Sequence, residues 1–546
     1  MSLNLDQFEQ FTADFAPNEE SYDGIEIPAD VLPIPNDSVG YIKPAEKIFS
    51  NISKLHIWFN RGGVVNEILN DEGGYSRLCP LDVDRAISEI ERMAIKLGMR
   101  IARLEFRRDN DGNKYPVWRT SNMPRSSMGV LLKTTDALKH LPEIRQLTSC
   151  PVIVEAQENK CQVLAKGYHS HAGGTYITYG IAPLEIPIDS AREALLELHM
   201  EFLFGTQSDL SRAIAVMLSP ALKMGGFIKD DYPMHVAEAI ESQSGKDYLQ
   251  KLHSRIYNEK PAGIAPPKGG VGSIDETLSK RLIEGNPFIT FSNFRGVLDS
   301  PFLESAIRGQ GKIDCRALRV SATVDCSPFI WQLSTNGADF TKDISNRSIV
   351  TRIGKQPSGF NFKIYKEGDL LAHVQNRQSF YLGCVFAVIR EWVEQGKQRT
   401  DDTRHDFRMW TQSLDWIVQN IFKLPPLLDG HQLIQQRVAN PAMQWLRTLA
   451  HAIIAMDCQG KSFTAMEVVG ICEEEGIDIP GAGKNSQEKL HLSIGQVFKK
   501  LFKEAHHMGD NAILIMVDNI KVIRKTEEKM EGETLKSHHQ YIFSQD

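Results

Sequence analysis

Cysteine is sparse and scattered in this chain of 546 residues. The eight cysteines form no C-x-x-C pair and no short-range cluster; they are Cys79, Cys150, Cys161, Cys315, Cys326, Cys384, Cys458 and Cys472. Zinc sites and disulfide frameworks need closely spaced cysteines, so this spacing predicts neither. We therefore expect no metal site of this kind and a reducing, cytoplasmic setting.

The chain also lacks an apolar run of membrane-spanning length and a basic-then-apolar leader after Met1. No membrane segment and no export signal are predicted. The composition, 42% hydrophobic and 24% charged, is typical of globular proteins. The length predicts several domains, each of which buries its own core.

Positive charge is in deficit. The formal net charge is −7, and residues 1–40 hold nine Asp and Glu but no basic side chain before Lys43. This net negative charge excludes a protein that binds nucleic acid over its whole surface, so any DNA contact must come from local basic patches. Leu5, Phe8 and Phe15 recur at helical spacing. We expect an acidic arm at 1–40, which either docks in a basic groove or packs on the body of the protein.

A degenerate phosphate-binding loop stands out among the segments that are present. Residues 244–247 read Ser-Gly-Lys-Asp, between an apolar run that ends at Ile240 and a helical pattern over 248–257. Backbone N–H groups at a helix N-terminus bind polyphosphate, and the lysine neutralises its charge. Two positions of G-x-x-x-x-G-K-[ST] are missing, because Ile240 replaces the first glycine and Asp247 replaces the hydroxyl residue. The predicted nucleotide-binding residues of the loop are Ser244, Gly245, Lys246 and Asp247.

Two apolar strand patterns follow the loop. The run 288–291 ends in Ser292-Asn293, where a metal-holding acid is expected. The run 329–335 ends in Asn336, and Arg347 and Arg352 follow it. A strand-end amide can orient an attacking water, and an arginine beyond it can reach a neighbouring subunit's nucleotide. We predict Ser292 and Asn293 as nucleotide-binding residues. We predict Asn336, Arg347 and Arg352 as catalytic residues, with internal ion pairs to Asp339 or Asp343 as the alternative for the two arginines.

In this order and spacing, the segments resemble the AAA+ helicase-like replication proteins of phages and mobile genetic elements, related to superfamily III and minichromosome-maintenance helicases. The resemblance runs from about residue 141 to 525. It also includes Leu141–Arg145 with Pro151, Gly167-Tyr168, a helix over Ala191–Phe204 with Asp209 and Arg212, and Arg390–Gly396 with Phe407 and Trp410.

The resemblance implies an α/β fold: an AAA+ P-loop NTPase-like core with an α+β N-terminal domain and a C-terminal winged-helix domain. The expected boundaries are an acidic arm at 1–40, the α+β domain at 41–185, the ATPase-like core at 186–360, a helical lid or linker region at 361–440, the winged helix at 441–525 and a polar tail at 526–546.

The chain departs from the family at its metal site. In the family, the loop hydroxyl and the strand-end Asp hold Mg²⁺ on the phosphates, but Asp247 and Ser292 stand there instead. A carboxylate beside the phosphates adds repulsion, and a serine is a poor ligand for a hard cation. We therefore expect binding of ATP and Mg²⁺ to be weak or absent. The alternative is that the two residues exchange roles, which would give an active ATP-dependent DNA helicase.

A basic hairpin is predicted before the second strand. Alternation around 317–320 indicates the turn, and the resembled helicases project such a hairpin into a pore onto single-stranded DNA. The candidate DNA-binding residues are Lys312, Arg316 and Arg319. The alternative is that they are ordinary surface charges or interface residues.

The C-terminal portion predicts a DNA-binding module. Helical patterns over 441–455, 464–475 and 490–505 precede a hairpin pattern over 512–523. In the third helix Leu492, Val497, Leu501 and Phe502 are expected to face inward. A winged helix would place its third helix in the major groove of duplex DNA and its wing on phosphate. The candidate DNA-binding residues are Lys499, Lys500, Lys503, Lys521, Arg524 and Lys525. Winged helices also dock proteins, and the acids at 473–475 keep that alternative open.

The region 41–185 mixes helix and strand patterns: a helix over 82–97 and strands at 152–154, 163–165 and 175–179. His169 and His171 alternate before two glycines and are expected in a turn rather than in a metal site. Taken together, the sequence predicts a DNA-binding, helicase-like protein of phage or mobile-element replication that acts as a homo-oligomer or with a partner protein.

Overall fold

A computed structural model of the chain describes residues 25–545 apart from 71–74, 158, 172–173, 230, 240–242, 265–272, 295–296, 309–310, 318–319, 337–338, 433–434, 436–440, 478, 480–489, 503–505, 508–511, 519 and 532–533. The expected helix with Leu5, Phe8 and Phe15 therefore lies outside the described residues. Within them, no helix is long and apolar enough to cross a membrane.

The described helices are α1 (Ile42–Ser53), α2 (Val83–Leu97), α3 (Arg125–Leu131), α4 (Thr135–His140), α5 (Ile188–Glu197), α6 (Gln207–Met224), α7 (Lys246–Ile256), α8 (Ile274–Glu284), α9 (Pro301–Arg308), α10 (Lys342–Asn346), α11 (Leu370–Asn376), α12 (Gln378–Glu394), α13 (Arg408–Asn420), α14 (Pro441–Ala455), α15 (Ala465–Glu474) and α16 (Leu490–Leu501).

The described strands are β1 (Val31–Pro33), β2 (Trp58–Arg61), β3 (Val64–Asn70), β4 (Ser76–Pro80), β5 (Arg100–Arg108), β6 (Lys114–Thr120), β7 (Ile144–Thr148), β8 (Val152–Gln157), β9 (Lys160–Leu164), β10 (Gly167–His171), β11 (Gly174–Thr178), β12 (Leu203–Phe204), β13 (Met234–Glu238), β14 (Ala262–Ile264), β15 (Phe288–Phe294), β16 (Val297–Leu298), β17 (Lys312–Ala317), β18 (Val320–Asp325), β19 (Ile330–Thr335), β20 (Asp339–Phe340), β21 (Ser348–Gly354), β22 (Ser462–Phe463), β23 (His506–His507), β24 (Ala512–Val517), β25 (Ile520–Glu531) and β26 (Thr534–Gln545).

The N-terminal part forms small sheets, in the orders β1-β5-β6, β2-β3-β4 and β10-β11-β7, with helices α1 to α4. The helix predicted over 82–97 is confirmed: the Asp82 side chain accepts from the Asp84 N–H at its start, and Gly98 ends it at φ +66°. The three predicted strands are confirmed as β8, β9 and β11. His169 and His171 lie in β10 rather than in a turn, because that strand pairs with β11 along its whole length.

The central feature is a six-stranded sheet in the order β12-β21-β13-β19-β15-β14. All neighbours are parallel except the edge pair β12–β21. Every residue of β13 and β19 is buried, as expected for strands with helices on both faces. Glu238 pairs with both Thr335 and Arg352, so the carboxyl ends of β13, β19 and β21 lie at one edge. The protein is thus a mixed α/β fold with a parallel sheet.

The helices around the sheet differ in part from the prediction. The helix expected over 191–204 begins at Ile188 and ends at Glu197, and the chain then enters β12. Within the predicted lid region, α11, α12 and α13 are helical, and Trp392 and Trp410 are buried. The Trp410 indole N–H donates to the Ser219 hydroxyl at 2.9 Å, which fixes α13 to α6.

The C-terminal part has its own core. The predicted helices are confirmed as α14, α15 and α16. Of the four side chains expected to face inward, Leu501 and Phe502 are buried, Val497 is partly buried against the core, and Leu492 is half exposed. Its sheet has five strands, in the order β22-β26-β25-β24-β23. The structure differs from the polar tail expected at 526–546, because most of that segment lies in β25 and β26, which pair over twelve positions.

Candidate functional site

The phosphate loop lies at the carboxyl edge of the parallel sheet. The chain leaves β13 at Glu238 and begins α7 at Lys246, with Gly245 as the N-cap residue at φ +87°. This left-handed conformation favours glycine. A Cβ added at Gly245 would lie 3.5 Å from the Phe202 ring, in ordinary contact. The backbone conformation, rather than lack of space, is therefore the reason for glycine at this position.

Lys246 and Ser244 are enclosed in the loop. Lys246 is 5% exposed, and its Nζ lies 4.0 Å from Asp247 Oδ2. The Ser244 hydroxyl is buried and has no hydrogen-bond partner among the described residues. A helix N-terminus carries a partial positive charge and free N–H groups. The loop therefore offers an anion a buried lysine, a helix end and an unsatisfied hydroxyl.

The side chain of Asp247 turns toward the sheet. Its Oδ1 accepts a short hydrogen bond from the Ser334 hydroxyl on β19, and Ser334 in turn accepts from the Asn293 N–H at 2.9 Å. Asn293 has a φ of +50°, and the ladder between β15 and β19 is irregular there. Both Ser292 and Asn293 are exposed. The predicted loop and strand-end residues are thus joined through Ser334, which the sequence analysis missed.

The donor set fits Mg²⁺ poorly. That cation needs oxygen ligands, usually carboxylates, in near-octahedral geometry. Asp247 is the carboxylate of the loop, and its oxygens already face the Ser334 hydroxyl and the Lys246 ammonium. Ser292 brings only a neutral hydroxyl at the end of β15. No group of three or more His, Cys, Asp or Glu side chains suited to a metal ion occurs in the part of the chain that the structure describes.

Asn336 and Arg347 lie at opposite edges of the sheet: Asn336 is at the carboxyl edge with the loop, whereas Arg347 precedes β21 at the amino edge, where its carbonyl accepts from the Met234 N–H at 2.8 Å. Asn336 directly follows β19. Arg347 is 9% exposed; its guanidinium donates to the Glu304 carbonyl at 3.2 Å and lies 3.6 Å from the Asp343 carboxylate. In a single chain Arg347 is therefore an internal partner of Asp343, as the alternative prediction has it.

Arg352 is also engaged within the chain. Its backbone N–H donates to Asp209 Oδ1 at 2.8 Å, and its guanidinium lies 3.4 Å from Asp209 Oδ2. Asp209 is fully buried and contacts Arg212 at 2.6 Å. Burial alone would raise the pKa of the Asp209 carboxyl, but Arg212 and the hydrogen bonds from Arg352 and Thr206 outweigh it and lower that pKa. The partner of Arg352 is thus neither Asp339 nor Asp343.

A cleft of about 650 Å³ opens beside the loop. Its walls come from the loop, from the segment around Phe202 and from residues 355–370 after β21. Aromatic side chains line it: Phe202, Tyr248, Phe360, Phe362 and Tyr365. The Phe202 and Tyr248 rings lie 6.4 Å apart. The cleft is thus lined mainly by aromatic side chains, with polar groups of the loop at one end, as in small-molecule sites.

The predicted basic hairpin is confirmed as β17 and β18. Its base packs on the N-terminal part, because the Thr323 N–H donates to the Gly62 carbonyl at 3.1 Å. Lys312 lies 3.3 Å from Glu143 and is half exposed. Arg316 is exposed, and Arg319 lies outside the described residues. Of the two bases that the structure describes on the hairpin, Lys312 pairs with Glu143 and Arg316 is exposed to solvent.

The C-terminal bases lie on two elements. Lys499 and Lys500 are exposed in the last turn of α16, while Lys503 lies outside the described residues. Lys525 is exposed and Lys521 is partly buried. The Arg524 guanidinium lies 5.1 Å from the centre of the Phe502 ring, a cation–π contact between the hairpin and the end of α16.

The hairpin predicted over 512–523 is confirmed as β24 and the start of β25. The turn at Asp518 is tied back to α14, since Asp518 contacts Arg447 at 3.0 Å and His451 at 2.9 Å. In contrast, residues 526–531 and 534–539 pair only with each other among the described strands. This two-stranded ribbon extends beyond the five-stranded sheet.

No family model matches the chain, and no curated protein matches it significantly. Solved structures are similar to it, among them two whose proteins are helicases. The active helicase Cch of SCCmec type IV has 14% identity over 85% of this chain and 82% of that chain, with a TM-score of 0.28. The apo A form of the NrS-1 C-terminal region has 9% identity over 90% and 98%, with a TM-score of 0.33. JCV helicase has 11% identity over 46% and 71%, with a TM-score of 0.22. At these TM-scores the likeness assigns no role to any residue.

Proposed function

We propose that this protein is a nucleotide-binding, helicase-like protein of the AAA+ type whose capacity for hydrolysis is weak or lost. One observation carries the proposal: the buried Lys246 follows a left-handed Gly245 at the start of α7, at the carboxyl edge of a parallel sheet. Ligands of open α/β sheets bind at this edge. The loop follows β13, Asn336 follows β19, and Ser292 in β15 stands where the metal-holding acid is expected. In the order β21-β13-β19-β15-β14, β19 lies between β13 and β15. This strand order supports the AAA+ assignment.

The proposed cellular role is DNA binding in the replication or maintenance of a phage or mobile element, as an oligomer or a partner-bound scaffold. The motif resemblance supports the setting. The exposed Lys499, Lys500 and Lys525 support a duplex contact through a C-terminal winged helix. The exposed Arg316 supports a second contact with single-stranded DNA.

Calorimetric titration of the full chain with ADP and ATP tests nucleotide binding. We expect binding that Lys246→Ala abolishes, because Lys246 supplies a buried ammonium within the loop itself. Lys251→Ala is the matched control, since Lys251 lies on the same helix and is exposed. Absence of any nucleotide binding would overturn the proposal.

A further inference from the structure

The anion site of the loop carries its own counter-charge. The Asp247 carboxylate lies 4.0 Å from the Lys246 ammonium, so the pair is close to neutral. The remaining positive potential comes from the N-terminus of α7, equivalent to roughly half a unit charge. Such a site balances fewer phosphate charges than a loop with a free lysine and a bound metal.

The Asp247 carboxylate is also fixed in place. In a phosphate loop, the residue after the lysine faces the metal that bridges the two outer phosphates. The Ser334 hydroxyl donates to Asp247 Oδ1 and holds the carboxylate against β19. Ser334 is fully buried and itself accepts from the Asn293 N–H at 2.9 Å. The negative charge therefore stays on the side where a terminal phosphate would lie.

The inner part of the loop stays suited to an anion. The Ser244 hydroxyl is buried and has no partner among the described residues, and the cleft of about 650 Å³ begins at Ser244 and Gly245. A buried hydroxyl without a partner is costly unless a ligand satisfies it. The unsatisfied Ser244 hydroxyl and the Asp247 carboxylate, which repels phosphate, thus lie at different positions of the same loop.

We propose that the loop binds nucleoside diphosphates in preference to triphosphates and without a metal ion, because Asp247 occupies the region of the terminal phosphate. The inference rests on the proposed nucleotide binding and specifies its ligand class. In this arrangement the inner phosphates lie at Ser244, Gly245 and Lys246. A third phosphate meets the Asp247 carboxylate with no cation between them.

Isothermal titration calorimetry of the full chain in EDTA tests the preference, with ADP and ATP and then with pyrophosphate and tripolyphosphate. We expect affinity for ADP to exceed affinity for ATP about tenfold, the effect of a modest like-charge contact. The inorganic ligands should show the same order, because the discrimination lies in the phosphates. Added Mg²⁺ should leave the affinity for ADP unchanged.

Asp247→Asn keeps the shape and the acceptor for Ser334 but removes the charge. We expect it to strengthen ATP binding about tenfold more than ADP binding, so that the preference disappears; any gain for ADP comes from the Lys246 charge that Asp247 no longer balances. Asp189→Asn is the charge-matched control, because Asp189 is exposed on α5. This control should leave the ratio of ADP affinity to ATP affinity unchanged. Equal affinity of the unmodified protein for ADP and ATP, or equal effects of Asp247→Asn on both, would overturn the inference while nucleotide binding itself stands. Failure of every ligand to bind would instead overturn the proposed function.

Discussion

At the scale of single residues, Ser334 links the loop to the sheet. It donates to Asp247 on α7 and accepts from the Asn293 backbone, so its removal leaves two polar groups without this partner. We expect Ser334→Ala to lower the free energy of unfolding by about 1–3 kcal/mol. Urea denaturation measures the change. Ser305→Ala is the control, because Ser305 is exposed and bonds only within its own helix; an equal effect of both changes would contradict the linking role.

Glu259 is the clearest pH-dependent residue. It is buried, and its Oε1 accepts from the Ser149 N–H at 2.6 Å. Burial raises the pKa of this carboxyl to about 8. An acid with a raised folded pKa binds its proton more tightly in the native state, so stability falls as pH rises from the unfolded pKa toward about 8.

We therefore expect Glu259 to contribute a loss of stability between about pH 5 and 8, of at most about 1.4 kcal/mol per pH unit. Buried histidines with lowered pKa values, such as His199, contribute with the opposite sign at the acid end of this range. Glu259→Gln keeps the acceptor and has no proton to lose, so its stability relative to the unmodified protein should increase as the pH rises through this range. Melting temperatures in a pH series measure both profiles, and parallel profiles would show that Glu259 makes no such contribution.

At the scale of elements, apolar runs were predictable and polar contacts were not. β13, β15 and β19 follow from buried-strand patterns, and α2 follows from its spacing and its Asp82 cap. β26 was missed because its sequence is polar and alternates weakly; pairing with β25 makes it a strand. The Asp247–Ser334 and Asp209–Arg352 contacts join residues 87 and 143 positions apart. No local pattern encodes contacts of that separation.

The end of α16 carries the next prediction. Lys499 and Lys500 are exposed side by side, so each is free to contact phosphate. Changing both to Glu should weaken duplex DNA binding. The slope of the logarithm of the binding constant against the logarithm of the salt concentration should become shallower by about two, since each lost phosphate contact accounts for roughly 0.9. Fluorescence anisotropy at several salt concentrations measures both quantities. Lys461→Glu, an exposed change elsewhere in the same part of the chain, is the control. Unchanged binding by the double variant would favour a protein-docking role for this module.

At the scale of the whole molecule, the proposed nucleotide site differs from that of the resembled ATPases by two groups, the loop hydroxyl and the strand-end acid. The double change Asp247→Thr with Ser292→Asp would restore a hydroxyl and a carboxylate at the positions that suit Mg²⁺. We expect the double variant to gain Mg²⁺-dependent ATP turnover over the unmodified protein, at least about tenfold if each residue supplies the usual contribution of a catalytic contact. Single changes should gain less. No gain in the double variant would mean that these two positions are not what prevents hydrolysis.

Steady-state ATP hydrolysis by the unmodified full chain, with Mg²⁺ and with or without single-stranded DNA, tests most directly whether the nucleotide site is degenerate. We predict turnover indistinguishable from that of Lys246→Ala under both conditions, because the Asp247 carboxylate is bound to Ser334 and Ser292 stands where an acid would hold the metal. Brisk Mg²⁺-dependent turnover that single-stranded DNA stimulates and Lys246→Ala removes would contradict this prediction, and would identify the protein as an active helicase-type ATPase with Asp247 as an unusual ligand.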